Sequence, residues 1–293
     1  MKNNKQILIR SFLYFVLLTV FCQIAYGQKL NNVQEGGVQA PANVKIDGKL
    51  REWGSSLQAY NKATGLYYTL ANNAQNIFLV IQSTDQVNSR KIIAGGISLT
   101  INTDGKKKEK DAFVLTFPMV SQSAMRGQFR RRGNNGDQAG APDSAAILAM
   151  RQQVHNAAKE ITVSCFKDIA DSVISIYNEY GIQASVDYDA KGNLVYELAI
   201  PLSLLHIAVT DAKELAYNIK VNGIQLGNRG GEGGGGNEGG GGGFGGGGGR
   251  RGSSGGGGGF GGGGGGRGGG GGADLQSMMS PTDFWGKYVL IKN

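Results

Sequence analysis

The feature that most constrains this chain is a glycine-rich tract at residues 227–272, in which 34 of the 46 residues are glycine. Glycine has no side chain to bury and loses more backbone entropy on ordering than any other residue. The tract therefore predicts a long disordered loop that takes no part in a hydrophobic core. Because only 21 residues follow it, too few to fold alone, we expect the tract to interrupt one domain between two pairing strands.

The N-terminus has the pattern of an export signal. Basic residues precede an apolar run at residues 11–24, and Ala25 and Gly27 provide the small side chains that signal peptidase requires. The run is shorter than the roughly 20 residues of a membrane span, so we expect no transmembrane helix in the mature chain. The pattern predicts a signal peptide at residues 1–27 and a periplasmic, outer-membrane-associated or secreted protein. Lipidation of Cys22 is the alternative, although a bulky residue precedes that cysteine.

Without the signal peptide and the glycine-rich tract, 220 residues remain. This length is typical of one domain, and the remaining residues have the composition of an ordinary globular protein. We expect the polar residues 28–42 to form a flexible tether. Residues 43–293 are then a single β-sandwich domain with disordered insertions at about 119–142 and 227–272. The mature chain has one cysteine, Cys165, so no internal disulfide is possible, and its apolar segment predicts a buried thiol in a strand.

The formal net charge of +8 comes mainly from loops. Residues 104–132 hold eight basic and three acidic residues, and the glycine-rich tract holds four Arg and two Glu. Because the body of the domain is not basic, the charge argues against a fold that binds polyanions, and we do not expect a nucleic-acid partner.

Alternating apolar residues and turn residues predict about ten strands and one helix. The clearest hairpins join 66–71 to 77–82 and 182–188 to 194–200. Apolar residues at three- and four-residue spacing predict one amphipathic helix at about 143–159. The pattern is typical of a mostly β protein, an antiparallel β-sandwich of jelly-roll or immunoglobulin-like type.

Four segments resemble the family 9 carbohydrate-binding-module and DOMON-like β-sandwiches. Residues 44–53, VKIDGKLREW, are similar to the family's opening I-D-G-x-L-x-E-W, and residues 194–202, LVYELAIPL, are similar to its Y-E-x-A-I-P strand. Residues 76–81 resemble an early strand, and residues 284–288, FWGKY, sit where the closing strand would be. The resemblance implies structural roles for Asp47, Gly48, Trp53, Tyr196, Glu197, Pro201 and Trp285.

The resemblance also implies a non-catalytic domain whose relatives bind sugars and sometimes haem. Sugar-binding members use aromatic platforms with polar side chains nearby. Because Trp53 and Trp285 both take structural positions, the candidate ligand-binding residues are Tyr60, Tyr67 and Tyr68, which are aromatic and lie near a loop. No His or Met pair suits haem, so no cofactor is expected.

No pattern indicates a catalytic or metal site. His155 has no second His, Cys or carboxylate at ligand spacing. His206 follows an apolar pair as a helix-end residue would, without a nucleophile elbow or a pair of carboxylates. We therefore expect no enzyme activity.

Three functions remain open. The first is an exported, non-catalytic binding domain for carbohydrate or a cell-envelope component. The second is a structural or interaction protein that uses the glycine-rich loop for self-association or envelope contact. The third is binding of RNA or another polyanion through Arg-Gly units such as those at Arg229 and Arg267, although the tract is poor in arginine and an exported protein meets little RNA.

Overall fold

The fold is known from a computed structural model, which describes residues 29–54, 56–120, 143–211, 213–224 and 276–292. The predicted signal peptide, the glycine-rich tract and nearly all of the predicted insertion at 119–142 lie outside these ranges. None of the helices within these ranges is long and apolar enough to cross a membrane.

Eleven strands and two α-helices of ten or more residues build the described part of the chain. In chain order the strands are β1 (Ala59–Asn61), β2 (Leu66–Asn72), β3 (Asn76–Ser83), β4 (Ile97–Asn102), β5 (Phe113–Met119), β6 (Glu160–Ser164), β7 (Val173–Ser175), β8 (Gln183–Tyr188), β9 (Leu194–Pro201), β10 (Glu214–Val221) and β11 (Thr282–Val289). The helices are α1 (Gln86–Gly95) and α2 (Ser144–Ala157). A five-stranded sheet has the order β1-β2-β3-β9-β8, and a six-stranded sheet has the order β11-β10-β4-β5-β6-β7.

The two sheets share one apolar core because side chains alternate between the two faces of each strand. The inward positions of β3 are Ile77, Leu79 and Ile81, none of which is more than 1% exposed. Between the sheets, the hydroxyl oxygens of Tyr68 and Tyr217 lie 2.9 Å apart. All strand pairs are antiparallel. The predicted mostly β, antiparallel architecture is thereby confirmed, and the fold is β-sandwich-like.

The predicted amphipathic helix at about 143–159 is α2, but the expectation of only one helix was wrong. Asp85 caps the additional helix α1 by accepting a hydrogen bond from a backbone N–H of the first turn, 2.6 Å away. Gly96, with a φ of 76°, ends the helix. Because the buried apolar residues Ile92 and Ile93 are adjacent, α1 shows too little helical periodicity to be recognised from the sequence.

Residues 29–42, the described part of the segment predicted to be a flexible tether, pack on the domain instead. The side chain of Gln34, which is only 5% exposed, donates to the carbonyl of Leu70 at 2.7 Å and accepts from its N–H at 2.8 Å. The N–H of Ala40 donates to the carbonyl of Asn72 at 2.8 Å. The segment therefore satisfies backbone groups along β2 that would otherwise lack partners.

The strands on either side of the glycine-rich tract pair with each other, as predicted. β10 and β11 pair over eight residues, beginning with Glu214 opposite Val289, and β11 forms the edge of the six-stranded sheet. Tyr217 lies opposite Gly286, and its ring and hydroxyl occupy the space that a Cβ at position 286 would need. Glycine is therefore required for the close approach of Tyr217 to the β11 backbone.

Gly286→Ala should lower the free energy of unfolding by about 1–3 kcal/mol, because the added methyl group overpacks the core against Tyr217. Urea unfolding of residues 28–293, followed by circular dichroism, measures this change. In the Tyr217→Leu background the ring is absent, so the same substitution should cost less than in the wild type. An equal cost in both backgrounds would show that the contact with Tyr217 is not the reason for the glycine.

Candidate functional site

Glu197 joins the two longest segments on which the family resemblance rests. This residue of β9 is fully buried. Its Oε2 accepts hydrogen bonds from the backbone N–H groups of Asp47 at 2.9 Å, Gly48 at 2.7 Å and Lys49 at 3.3 Å. Its Oε1 accepts a hydrogen bond from Nε1 of Trp53 at 2.8 Å. Burial raises the pKa of the Glu197 carboxyl, and the four donors oppose that rise.

The segment that carries Trp53 covers the middle of the outer face of the five-stranded sheet. The ring of Trp53 meets that of Phe78 edge to face, with centroids 6.1 Å apart. Gly48 has a φ of 77°, and a Cβ there would lie 2.7 Å from Cβ of Asp187. These contacts fit the structural roles expected for Asp47, Gly48, Trp53 and Glu197. This part of the sheet is therefore occupied by the chain itself.

Tyr196 and Pro201 lie next to this cluster on β9. The Tyr196 ring points into the core, 5.8 Å from the ring of Phe117 between centroids. Its hydroxyl is buried and has no hydrogen-bond partner within the described ranges, and burial raises the pKa of this hydroxyl. Pro201 ends the strand and precedes a 3-10 turn at Leu202–Leu205, so both residues shape the core and its boundary.

The three tyrosines predicted to bind a ligand do not form one surface. Tyr60 and Tyr67 are half-buried neighbours on β1 and β2, with ring centroids 4.5 Å apart, on the outer face of the five-stranded sheet. Tyr68 points the other way, into the core, and is 0% exposed. The expectation for Tyr68 is therefore corrected, because a fully buried ring offers no face to a ligand, whereas Tyr60 and Tyr67 stay candidates.

Trp285, for which the family resemblance implies a structural role, lies outside the core, on the outer face of the six-stranded sheet, so its ring is open to a ligand as well. It is half-buried and sits opposite Asn218 of β10, which in turn sits opposite Thr100 of β4. Nδ2 of Asn218 donates to Oδ2 of Asp283 at 2.7 Å. Oδ1 of Asn218 is buried and has no hydrogen-bond partner among the described residues. The indole ring of Trp285 thus lies beside polar side chains, and one of these, Asn218, has a side-chain oxygen that accepts no hydrogen bond from the described residues.

A second polar row crosses the same face. Oγ of Ser98 lies 2.6 Å from Oγ1 of Thr116 and accepts a hydrogen bond from Nδ2 of Asn222 at 2.9 Å. Thr162 continues the row on β6, and its buried Oγ1 has no hydrogen-bond partner in the described part of the chain. We call this surface the polar face; it consists of Ser98, Thr100, Thr116, Thr162, Asn218 and the indole of Trp285.

A charged cavity of about 560 Å³ adjoins the polar face. It is lined by the turn at 103–106, Lys213, Glu214 and Lys287, and we call it the charged basin. Lys287 and Trp285 are alternate residues of β11, so their side chains leave the same face roughly 7 Å apart. A ligand that rests on Trp285 therefore reaches the basin.

Asn102 holds the turn that forms one wall of the basin. Its Oδ1 accepts hydrogen bonds from the N–H groups of Asp104 at 3.1 Å and Lys106 at 3.2 Å. Its Nδ2 donates to the carbonyl of Lys108 at 3.2 Å. Since Asn102 is only 6% exposed, these bonds are largely shielded from water and fix the shape of the wall.

The two histidines make contacts with carboxylates outside this surface. Nε2 of His155 lies 3.5 Å from Oδ1 of Asp187, and Nε2 of His206 lies 3.6 Å from Oδ2 of Asp168. Within the described ranges, no group of three or more His, Cys, Asp and Glu side chains is placed to hold a metal ion. Cys165 was expected to be buried in a strand, but β6 ends one residue earlier and the thiol is exposed. Its φ of 65° takes it out of the strand conformation.

No protein-family model matches the chain, and it has no significant match among curated proteins.

The sequence did not predict the polar face, because its Ser, Thr and Asn residues alternate with core residues, as outward positions of any half-exposed strand do. The sequence signal that could have indicated this face is the type of residue at the outward positions. Along residues 98–102 and 216–220 the outward positions hold small hydroxyl, amide and methyl groups with only one lysine, whereas a purely solvated face usually carries more charge.

Glu197→Gln should lower the free energy of unfolding by about 1–3 kcal/mol, because an amide cannot accept all four hydrogen bonds and its NH₂ then faces a donor. In the Trp53→Phe background one of those donors is absent, so Glu197→Gln should lower the free energy of unfolding by less than it does in the wild type. An equal loss in both backgrounds would contradict a direct hydrogen bond between Glu197 and Trp53. Because burial raises the folded pKa of Glu197 above the usual unfolded value of about 4.3, ionisation of the buried carboxyl costs the folded state free energy, and the wild type loses stability relative to the uncharged Gln variant as the pH rises above about 4.3. Its advantage over the variant should therefore shrink between pH 4 and pH 7 in urea unfolding.

Asn102→Ala should remove three hydrogen bonds and destabilise the turn at 103–106, at about 1 kcal/mol for each bond. Amide hydrogen exchange should show faster exchange at Lys106 without loss of protection in the central strands. Asn73→Ala is the matched control, since its Oδ1 accepts from the N–H groups of Gln75 and Asn76 in the β2–β3 turn. Unchanged exchange at Lys106 in Asn102→Ala would show that this side chain does not organise the basin.

Proposed function

We propose that this protein is an exported, non-catalytic domain that binds carbohydrate on the polar face. The observation that carries the proposal is the position of Trp285. Its half-buried indole lies in a row of amide and hydroxyl side chains and next to a cavity of about 560 Å³. Concave sites with an aromatic wall and a few placed polar groups are typical of small-ligand binding.

The chemistry of the polar face suits a sugar. One side of a pyranose presents C–H groups that pack on an aromatic ring, and its edge presents hydroxyl groups that both donate and accept hydrogen bonds. Ser and Thr hydroxyls also do both, and Asn offers a carbonyl oxygen and two N–H donors. Oδ1 of Asn218 and Oγ1 of Thr162 have no hydrogen-bond partner among the described residues, but both atoms are buried, so a sugar would first contact the half-exposed side chains of Trp285 and Thr116.

The five-stranded sheet offers less room for a ligand. The segment that holds Trp53 lies over Phe78 and Glu197, which occupies the middle of its outer face. Tyr60 and Tyr67 lie on the uncovered side, but their rings pack on each other. This tyrosine pair is the second candidate platform, and the two platforms make different mutational predictions.

Export is proposed from the signal pattern at residues 1–27. An exported binding domain would meet polysaccharide in the envelope or outside the cell, so a cell-envelope glycan belongs to the same proposal. The absence of a catalytic role is likewise part of the proposal, which assigns recognition to the polar face and no bond-breaking step.

Trp285→Ala should weaken carbohydrate binding at least about tenfold, because it removes the aromatic platform. A glycan array probed with residues 28–293 identifies the sugar, and isothermal titration then gives the dissociation constants. Circular dichroism and the melting temperature verify that the variant is folded.

Tyr60→Ala is the control on the other sheet and should leave the dissociation constant unchanged. Failure of the wild type to bind any sugar on the array would contradict the proposed function. A loss of binding in Tyr60→Ala, with none in Trp285→Ala, would move the site to the tyrosine pair.

A further inference from the structure

The charged basin carries one positive charge that no described residue balances. Nζ of Lys106 lies 3.3 Å from Oδ2 of Asp104, and Nζ of Lys287 is paired with Oε1 of Glu214. Lys213 is exposed and has no ion-pair partner within the described ranges. Of three lysines and two carboxylates, one ammonium group is therefore available to a ligand.

The wall of the basin is built before a ligand arrives. Asn102 holds the turn through three hydrogen bonds. Gly105, with a φ of 72°, brings that turn against β10, since a Cβ there would lie 2.7 Å from the carbonyl oxygen of Glu214. A preformed wall lowers the entropy that binding costs, so the lysines around it are suited to recognition.

We infer that the carbohydrate bound at Trp285 is acidic and that its carboxylate lies in the charged basin near Lys213. The inference rests on the proposed carbohydrate function and names the class of ligand, a polymer that contains uronic acid. One unbalanced ammonium group matches the single charge of a carboxylate. The adjoining loop holds three exposed lysines, Lys107, Lys108 and Lys110, against the exposed Glu109 and Asp111, and this surplus of one positive charge adds to the attraction of such a polymer.

The test uses three uronate polymers, polygalacturonate, alginate and hyaluronate, each beside its carboxyl-reduced form, which keeps the sugar backbone and lacks the charge. At least one uronate polymer should bind residues 28–293, and its reduced form should bind at least about threefold more weakly at low salt. Raising NaCl from 0.05 to 0.5 M should remove most of the difference, because salt screens exposed charges.

Two variants should act in opposite directions on the uronate polymer. Lys213→Gln removes the free ammonium group and should weaken binding about threefold, whereas Glu214→Gln frees Lys287 and should strengthen it by a similar factor. Neither should affect the reduced polymer. Lys167→Gln, at an exposed lysine away from the basin, is the control and should leave binding unchanged.

Each outcome distinguishes this inference from the proposed function. Equal binding of charged and reduced polymers, with dependence on Trp285, would overturn the inference and leave the carbohydrate function standing. Failure of all three uronate polymers to bind would also overturn it. Equal binding of polyglutamate, which has carboxylates but no sugar, would show recognition of charge alone and overturn both.

Discussion

A buried carboxylate governs how this chain is assembled. Glu197 is fully buried, and leaving such a group without donors would cost more free energy than a domain of this size can spare. The donors come from the backbone turn at 47–49 and from Trp53, up to 150 residues earlier in the chain. The N-terminal segment must therefore lie across the outer face of the five-stranded sheet, and this requirement takes the middle of that face out of use as a binding surface.

The outer face of the six-stranded sheet differs from that of the five-stranded sheet. Among the described residues, no buried carboxylate lies on the outer face of the six-stranded sheet, and its central positions hold small polar groups such as Thr100 and Asn218. Trp285 stands at one side and the charged basin adjoins it. The two outer faces therefore differ. One is covered by a segment that structural hydrogen bonds hold in place. The other combines an aromatic ring, hydroxyl and amide groups and a net positive charge, and we propose that this combination recognises an acidic carbohydrate.

Asn72 completes the assembly by joining both ends of the described chain to the end of β2. Its backbone N–H donates to the carbonyl of Val38 at 3.0 Å. Its Oδ1 accepts from the hydroxyl of Tyr288 at 2.8 Å and from the N–H of Ile291 at 2.9 Å. Burial raises the pKa of Tyr288 from its ordinary value to about 12, so its hydroxyl stays protonated well into the alkaline range. The edge strand β11 is thereby tied to the opposite sheet.

The sequence by itself determined most of the strands, the helix α2 and the pairing of β10 with β11, because these depend on local alternation, capping and the shortness of the segment after the glycine-rich tract. Only the tertiary structure decided the docking of Gln34 on β2, the burial of Tyr68 and the outward position of Trp285. Alternation shows that a strand has two faces, but which face meets the core depends on register with strands distant in sequence. A shift of one residue would exchange Tyr68 with Tyr67 and bury Trp285, so no local pattern could have located the candidate site.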